Sequence, residues 1–352
     1  MLEVWESQDP FAEFGGYLDE RGFFDGNEPG AVADVFLAYA ASDGLRRLPL
    51  PAPPEPCPLP LAACRIHTAS ELPSTPRPFA VGDWETTWAA EGYAAAVEDV
   101  RAAIARGDVY QVNLVQHLSA PFCGDPAGLA ERLAPLRPLQ PEPFGGDGWT
   151  IVSGSPEIFL RRRGRTLSTF PIKGTRPLGE ADDLLDSEKD AAEHVMIVDL
   201  ERNDLSRVCE AGSVRWPELM AERELAGVAH LVSRVEGRLR EDVTLVDILR
   251  ATFPGGSITG APKIAALDLI AALEPVGRGA AMGALGRIRP NGDFDLALTI
   301  RTFAVADGRI HLWAGGGIVW DSDPGAEVEE SWVKARPLLA AVGGRVRGPV
   351  AA

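Results

Sequence analysis

Apolar residues along the chain recur at helical spacing in some stretches and alternate in others, and the pattern is clearest from Trp84 onward. Tyr93, Val97, Val100 and Ile104 share one face of a helix that Thr87 can cap and Gly107 ends. Val109 to Leu118 alternates as a strand, and Trp149–Ser153, Glu157–Arg161 and Thr166–Ile172 read as short strands. A helix runs from Ser187 to about Asp204, followed by a strand at Val228–Leu239 and helices at Val243–Thr252 and Ala261–Leu273. Three strand-like runs come next, Ala281–Ile288, Leu296–Val305 and Ile310–Ala314, and a last helix covers Ala326 to Ala340. Strands and helices are clustered rather than strictly alternating. That favours a complex α+β fold with large antiparallel sheets over a doubly wound sheet.

Before Trp84 the pattern weakens. Gly15, Gly16 and Gly26 interrupt it, and Ala31–Ala41 fits a helix or a strand equally well. Pro49 to Pro60 is too proline-rich for a regular helix or an interior strand and reads as a semi-rigid linker or surface loop. The expected organisation is a short N-terminal region, residues 1–85, ahead of a catalytic domain at 86–345.

With 34 Lys and Arg against 51 Asp and Glu, the formal net charge is −17, which argues against nucleic acid or an anionic membrane as a partner. The one basic run, Arg161-Arg162-Arg163-Gly164-Arg165, reads as a solvated hairpin turn. Cys57, Cys64, Cys123 and Cys209 form no C-x-x-C pair and no secretory signal opens the chain, so a reduced cytoplasmic protein without a zinc site is expected. No apolar run reaches the roughly 20 residues of a membrane span.

Chemistry concentrates at a few positions. Lys173 sits in Phe170-Pro171-Ile172-Lys173-Gly174-Thr175-Arg176, just after an apolar run. A lysine acts as a nucleophile only when desolvation or neighbouring positive charge leaves its amine neutral part of the time. Glu327 and Glu330 stand three apart on one face of the last helix, and Glu193 lies in an apolar helical stretch. If the three converge, they repel each other unless a cation such as Mg²⁺ is present; otherwise Glu327 and Glu330 merely complement the helix dipole. Gly315-Gly316-Gly317 follows a strand, as a turn or as a backbone site for a carboxylate. Arg301 closes a strand and can pair with a carboxylate, and Lys334 can do the same or pair with Glu330 one turn away. Phe253 to Lys263 resembles a phosphate loop but lacks its spacing, with Lys263 falling inside a helix. His230 lies in an apolar strand, a core histidine unless a ligand reaches it.

In combination these segments resemble the chorismate-utilising enzymes: anthranilate synthase component I, aminodeoxychorismate synthase component I, isochorismate synthase and salicylate synthase. The matching stretches are Gly107–Leu114, Ser155–Leu160, Pro171–Pro177, Ala192–Leu205, Ala229–Ser233, Phe253–Lys263, Ala314–Val319 and Asp321 through Ala335, in that order. The resemblance implies an α+β fold of two large, mostly antiparallel sheets flanked by helices, and it assigns Mg²⁺ to Glu193, Glu327 and Glu330. It assigns the substrate carboxylates to Thr175, Arg301, Lys334 and the Gly315–Gly317 backbone, beside Gln111. Glu157 becomes the general acid for the departing C4 hydroxyl, and His230 an orienting or acid–base group.

Two positions divide the family's chemistry. Enzymes that add water carry lysine in place of Gln111, whose amide cannot act as a base. Anthranilate synthases carry alanine in place of Lys173, whereas aminodeoxychorismate synthases share the lysine. The resemblance therefore implies C4 amination of chorismate through a covalent Lys173 intermediate, with another chorismate aminase or a weakly catalytic regulatory homologue as alternatives. The implied partners are chorismate, ammonia from a glutamine amidotransferase subunit, and a downstream aminodeoxychorismate lyase. Two departures stand out: Ala281 occupies a position that is usually aromatic, and the N-terminal region, which in the family completes an outer sheet and holds a tryptophan site, is short.

Overall fold

The computed structural model describes residues 2–7, 9–26, 30–68, 77–177, 188–225 and 228–346, with side chains except at 173–177, 188–190, 192, 224–225 and 228–229. Two antiparallel sheets carry the fold, as the α+β reading expects. The larger has ten strands in the order Leu2–Trp5, Ala62–Thr68, Ala31–Leu37, Ala284–Ile288, Phe294–Leu298, Ile158–Arg163, Thr166–Thr169, Val228–Arg238 and Ile172–Pro177, with Arg215–Leu225 also paired to Val228–Arg238. The smaller has eight, built on the long strand Gln111–Gly124, which pairs with Arg309–Ile318 from Arg309↔Pro121 to Ile318↔Val112. Ala31–Leu37 is thus a strand, and the N-terminal strands join Ala284–Ile288 in one sheet.

The main core lies between the sheets. Leu160, Leu167, Leu285 and Leu296 of the larger sheet meet Val112, Leu114 and Trp313 of the smaller one, together with Ile248, Leu267 and Ile270 from the helices Leu245–Thr252 and Lys263–Leu273. A second cluster covers the other face of the smaller sheet, where Leu118, Phe303 and Leu312 pack on Leu338 and Leu339 of the helix Pro324–Val342.

One buried ion pair spans these layers. Arg278 is 2% exposed. It donates to both oxygens of Glu274 (2.9 and 2.7 Å), to the Asn113 carbonyl (2.6 Å) and to the Ile258 carbonyl (3.0 Å). Glu274 in turn accepts from the Val115 amide at 3.1 Å, and the Arg278 guanidinium lies 4.4 Å from the centre of the Tyr39 ring. Burial opposes the charge on Arg278, but Glu274, joined by the Tyr39 and Tyr93 side chains, more than compensates, and the guanidinium is held protonated more firmly than usual.

Several expectations are corrected. The helix Ala90–Arg106 starts on Ala89 without a side-chain cap; the Thr87 hydroxyl bonds His117 Nδ1 at 2.7 Å instead. Leu296–Val305 is two strands in different sheets, Phe294–Leu298 and Thr302–Ala306, broken at Arg301, whose φ is 50°. Arg301 therefore sits in a crossover and does not close a strand; alternation in sequence does not reveal which sheet receives the side chains. The Gly315–Gly317 triplet lies inside the strand Arg309–Ile318, not in a turn after one. Thr166–Ile172 also divides, into Thr166–Thr169 and Ile172–Pro177, and Lys263 begins its helix rather than lying within it. The strand Arg215–Leu225 gave no signal because Pro217, charged residues and two register shifts obscure its period.

Candidate active site

Three elements meet around the glycine triplet. The strand Arg309–Ile318 pairs with Thr302–Ala306 only as far as Leu312, so beyond that point one edge carries no strand partner among the described residues. The last helix lies along it: Lys334 Nζ donates to the Gly315 carbonyl (3.0 Å) and to Glu330 Oε1 (2.7 Å). A methyl group added at Gly316 would stand 3.2 Å from Glu330 Oε1, 3.3 Å from Glu327 Oε2 and 3.5 Å from Lys334 Nζ. One added at Gly317 would fall 2.1 Å from Gln111 Nε2 and 2.9 Å from Glu193 Oε1. Glycine is needed here because side chains from two helices and a strand occupy the space a Cβ would take.

Each carboxylate is held by a donor. Gln111 Nε2 donates to Glu193 Oε1 at 2.8 Å, and the Ser322 hydroxyl donates to Glu327 Oε1 at 2.6 Å. Gln111 Oε1 is buried without a hydrogen-bond partner among the described residues. Glu327 and Glu330 also lie near the buried Tyr93 hydroxyl, whose pKa is pushed up by burial first and by their charges after it.

The helix Glu188–Ser206 carries Glu193 near one end and a second group of acids near the other. Glu157 is buried beside it and accepts from the Ser257 hydroxyl at 3.1 Å. Burial lowers the pKa of the Arg301 guanidinium, and the charge of neighbouring Glu157 opposes that effect. Asp204 pairs with Lys263 Nζ at 2.5 Å, and the same ammonium donates to the Thr252 carbonyl at 2.7 Å. Burial raises the Asp204 carboxyl and Lys263 pulls it back. His230 is buried on the strand Val228–Arg238, in register with Thr175, and Lys173 is in register with Leu231. The side chains of Lys173 and Thr175 lie outside the described residues.

The structure thus gathers Gln111, Glu193, Gly315, Gly316, Gly317, Glu327, Glu330 and Lys334 in one group, and Glu157 and Arg301 in another. Sequence reasoning gave no role to Glu201, Asp204, Ser257 or Lys263. The i, i+3 spacing of Glu201 and Asp204, which puts both on one helix face, was the available signal. Two surface clefts, one between Gly15 and Gly292 and one along Arg165 and Arg238, contain none of the predicted residues.

Residues 54–340 match the family described as chorismate binding enzyme. The chain belongs to that family. Anthranilate synthase component 1 of Streptomyces coelicolor is 41% identical over 311 residues, 85% of this chain and 58% of that protein. Aminodeoxychorismate synthase component 1 of Bacillus subtilis is 39% identical over 282 residues, 76% of this chain and 59% of that protein. The chain therefore spans about three-fifths of the length of these curated relatives. Among solved structures, anthranilate synthase component I from Streptococcus pneumoniae superposes with a TM-score of 0.79 at 26% identity, over 96% of this chain and 89% of that one. No described helix is long and apolar enough to cross a membrane.

The donors around the glycines suit a hard divalent cation. Glu193, Glu327 and Glu330 offer carboxylate oxygens from two helices to the same pair of glycines, and the atoms nearest those glycines among the described residues include no soft ligand. As they stand, no three acidic, histidine or cysteine side chains among the described residues approach closely enough to share an ion; the carboxylates are drawn onto Gln111, Ser322 and Lys334.

The glycines differ in what they protect, and this gives a paired prediction. A Cβ at Gly315 would lie 1.8 Å from the Leu114 carbonyl, a backbone atom, whereas at Gly317 it meets the ends of movable side chains. Gly315→Ala is expected to destabilise the fold by about 1–3 kcal/mol. Gly317→Ala is expected to keep the unfolding midpoint close to that of the parent while displacing Gln111 and Glu193, with turnover falling on the order of 10²-fold. Denaturant unfolding and steady-state assays on both variants separate the two effects.

Proposed function

We propose that this chain aminates chorismate at C4 to give 4-amino-4-deoxychorismate, with ammonia supplied by a glutamine amidotransferase partner. The observation that carries the reading is Lys173 in Pro171-Ile172-Lys173-Gly174-Thr175, combined with Gln111 where water-adding relatives carry lysine. Gln111 is engaged with Glu193 and has no basic lone pair, so it does not activate water.

In this mechanism Glu193, Glu327 and Glu330 would hold Mg²⁺, which would supply positive charge to offset that of the substrate carboxylate. Arg301, Lys334 and the Gly315–Gly317 backbone orient the substrate carboxylates. The Lys173 amine bonds to C2, the ring double bonds shift, and the C4–O bond breaks as Glu157 delivers a proton, so that water leaves. Ammonia then bonds to C4, the double bonds shift back and the C2–N bond to Lys173 breaks. A proton from the incoming nitrogen returns to Glu157. His230 lies one strand from this chemistry and orients the reacting groups. A separate lyase would convert the product to 4-aminobenzoate.

A second reading, amination at C2 to anthranilate, is favoured by the 41% identity to the Streptomyces coelicolor anthranilate synthase component 1. Incubation with chorismate, Mg²⁺ and high ammonium at mildly alkaline pH decides between them. The expected product has the mass of aminodeoxychorismate and yields 4-aminobenzoate only after a lyase is added. Anthranilate as the product would overturn the proposal.

A further inference from the structure

Behind Glu157 lies a second buried carboxyl with no role in the mechanism above. Glu201 is 6% exposed, and the Thr169 hydroxyl donates to its Oε2 at 2.8 Å. The short turn Gly256–Ile258 touches both acids: the Ser257 hydroxyl bonds Glu157, and a methyl added at Gly256 would lie 3.6 Å from the Glu201 Cγ. That methyl would also come within 2.7 Å of Leu200, so glycine is what lets the turn press against the helix bearing Glu201.

The charged groups acting on Glu201 are Glu157, Asp204 on its own helix, and Lys263 at the start of the neighbouring helix. Lys263 is already engaged with Asp204 and the Thr252 carbonyl. Among the described residues Glu201 therefore has a hydroxyl donor, two neighbouring carboxylates and only a lysine already engaged elsewhere, while Glu157 has the Arg301 guanidinium beside it. Two carboxyls in one dry region do not both ionise readily; they hold one proton between them and titrate as a pair.

We propose that Glu157 and Glu201 form a coupled acid pair in which Glu201 keeps one proton in the site at neutral pH and so extends the range over which Glu157 serves as the acid. Glu201 is then a positioning residue for that proton and does not touch the substrate. The inference rests on the reading of Glu157 as the group that protonates the departing hydroxyl. Burial, more than the neighbouring charges, pushes the Glu201 carboxyl up to about 8, in keeping with the geometry.

The test is Glu201→Gln, which keeps shape and polarity but cannot give up a proton. With the reading correct, the alkaline limb of the kcat profile moves to lower pH by about 1–2 units in the variant, because position 201 no longer shares a proton with Glu157. An unmoved limb, or an equal loss of activity at every pH, would overturn the pairing. Thermal unfolding against pH supplies a readout that needs no substrate. A carboxyl whose folded value is raised stabilises the fold at pH below its unfolded value and loses that contribution as pH rises through about 8. The midpoint of the parent minus that of Glu201→Gln should therefore fall between about pH 5 and pH 9. A flat difference would show that Glu201 holds no proton. If the parent turns over no chorismate, it is the proposed function that has failed, and the unfolding comparison alone decides whether Glu201 carries the proton.

Discussion

Lys173→Ala is expected to abolish amination at C4 while leaving binding of chorismate nearly intact. The amine is the only group assigned to attack C2, and without it ammonia would have to displace the C4 hydroxyl in one step. Removing a covalent nucleophile typically costs 10³-fold or more, so kcat should fall by at least about that factor with little change in KM. A substitution that merely loosened the strand would raise KM or lower the unfolding midpoint instead. The measurement is product formation at saturating chorismate, read by mass, alongside substrate binding by calorimetry. If the variant still makes aminodeoxychorismate at a comparable rate, the covalent route is wrong. If both parent and variant make anthranilate, the family reading stands but the lysine argument does not.

Arg278→Ala should produce the largest loss of stability. Its guanidinium satisfies Glu274 and two backbone carbonyls, from Asn113 and Ile258, on the segments flanking the core. Truncating it leaves the Glu274 carboxylate buried without its counter-charge, which costs about 3–5 kcal/mol, far more than an exposed pair would. Unfolding in denaturant should show that loss as a lower midpoint with an unchanged slope. Arg278→Ala combined with Glu274→Gln should recover part of it, since no unpaired charge then remains. A loss below about 1 kcal/mol in the single variant would mean that the pair is compensated by water or by rearrangement.

The class of fold and much of the glycine-centred group were legible in the sequence, and the reasons are local. Glu327 and Glu330 share a face by helical spacing alone, and the strand periods of Trp149–Ser153 and Val228–Arg238 are regular enough to read. What stayed hidden depends on contacts between distant segments. Nothing near Arg301 announces that its backbone turns from one sheet to the other. The glycine triplet looked like a turn because its role, making room for Gln111, Glu193 and the last helix, is defined by partners 82 or more positions from one another in the chain. Glu201 carries no signal of its own in the stretch Ala192–Leu205, because burial beside Glu157 is a property of the assembled core.

The helix Glu188–Ser206 places Glu193 and Glu201 on one rigid rod, eight residues or roughly 12 Å of axis apart. The interval between the end proposed to hold a cation and the end proposed to hold a proton is thus fixed by main-chain hydrogen bonds, not by the packing of loops. It acts as a built-in gauge. Substitutions around the rim can change which groups a ligand meets, but they leave that interval as it is, and lengthening or shortening it requires a change in the helix itself.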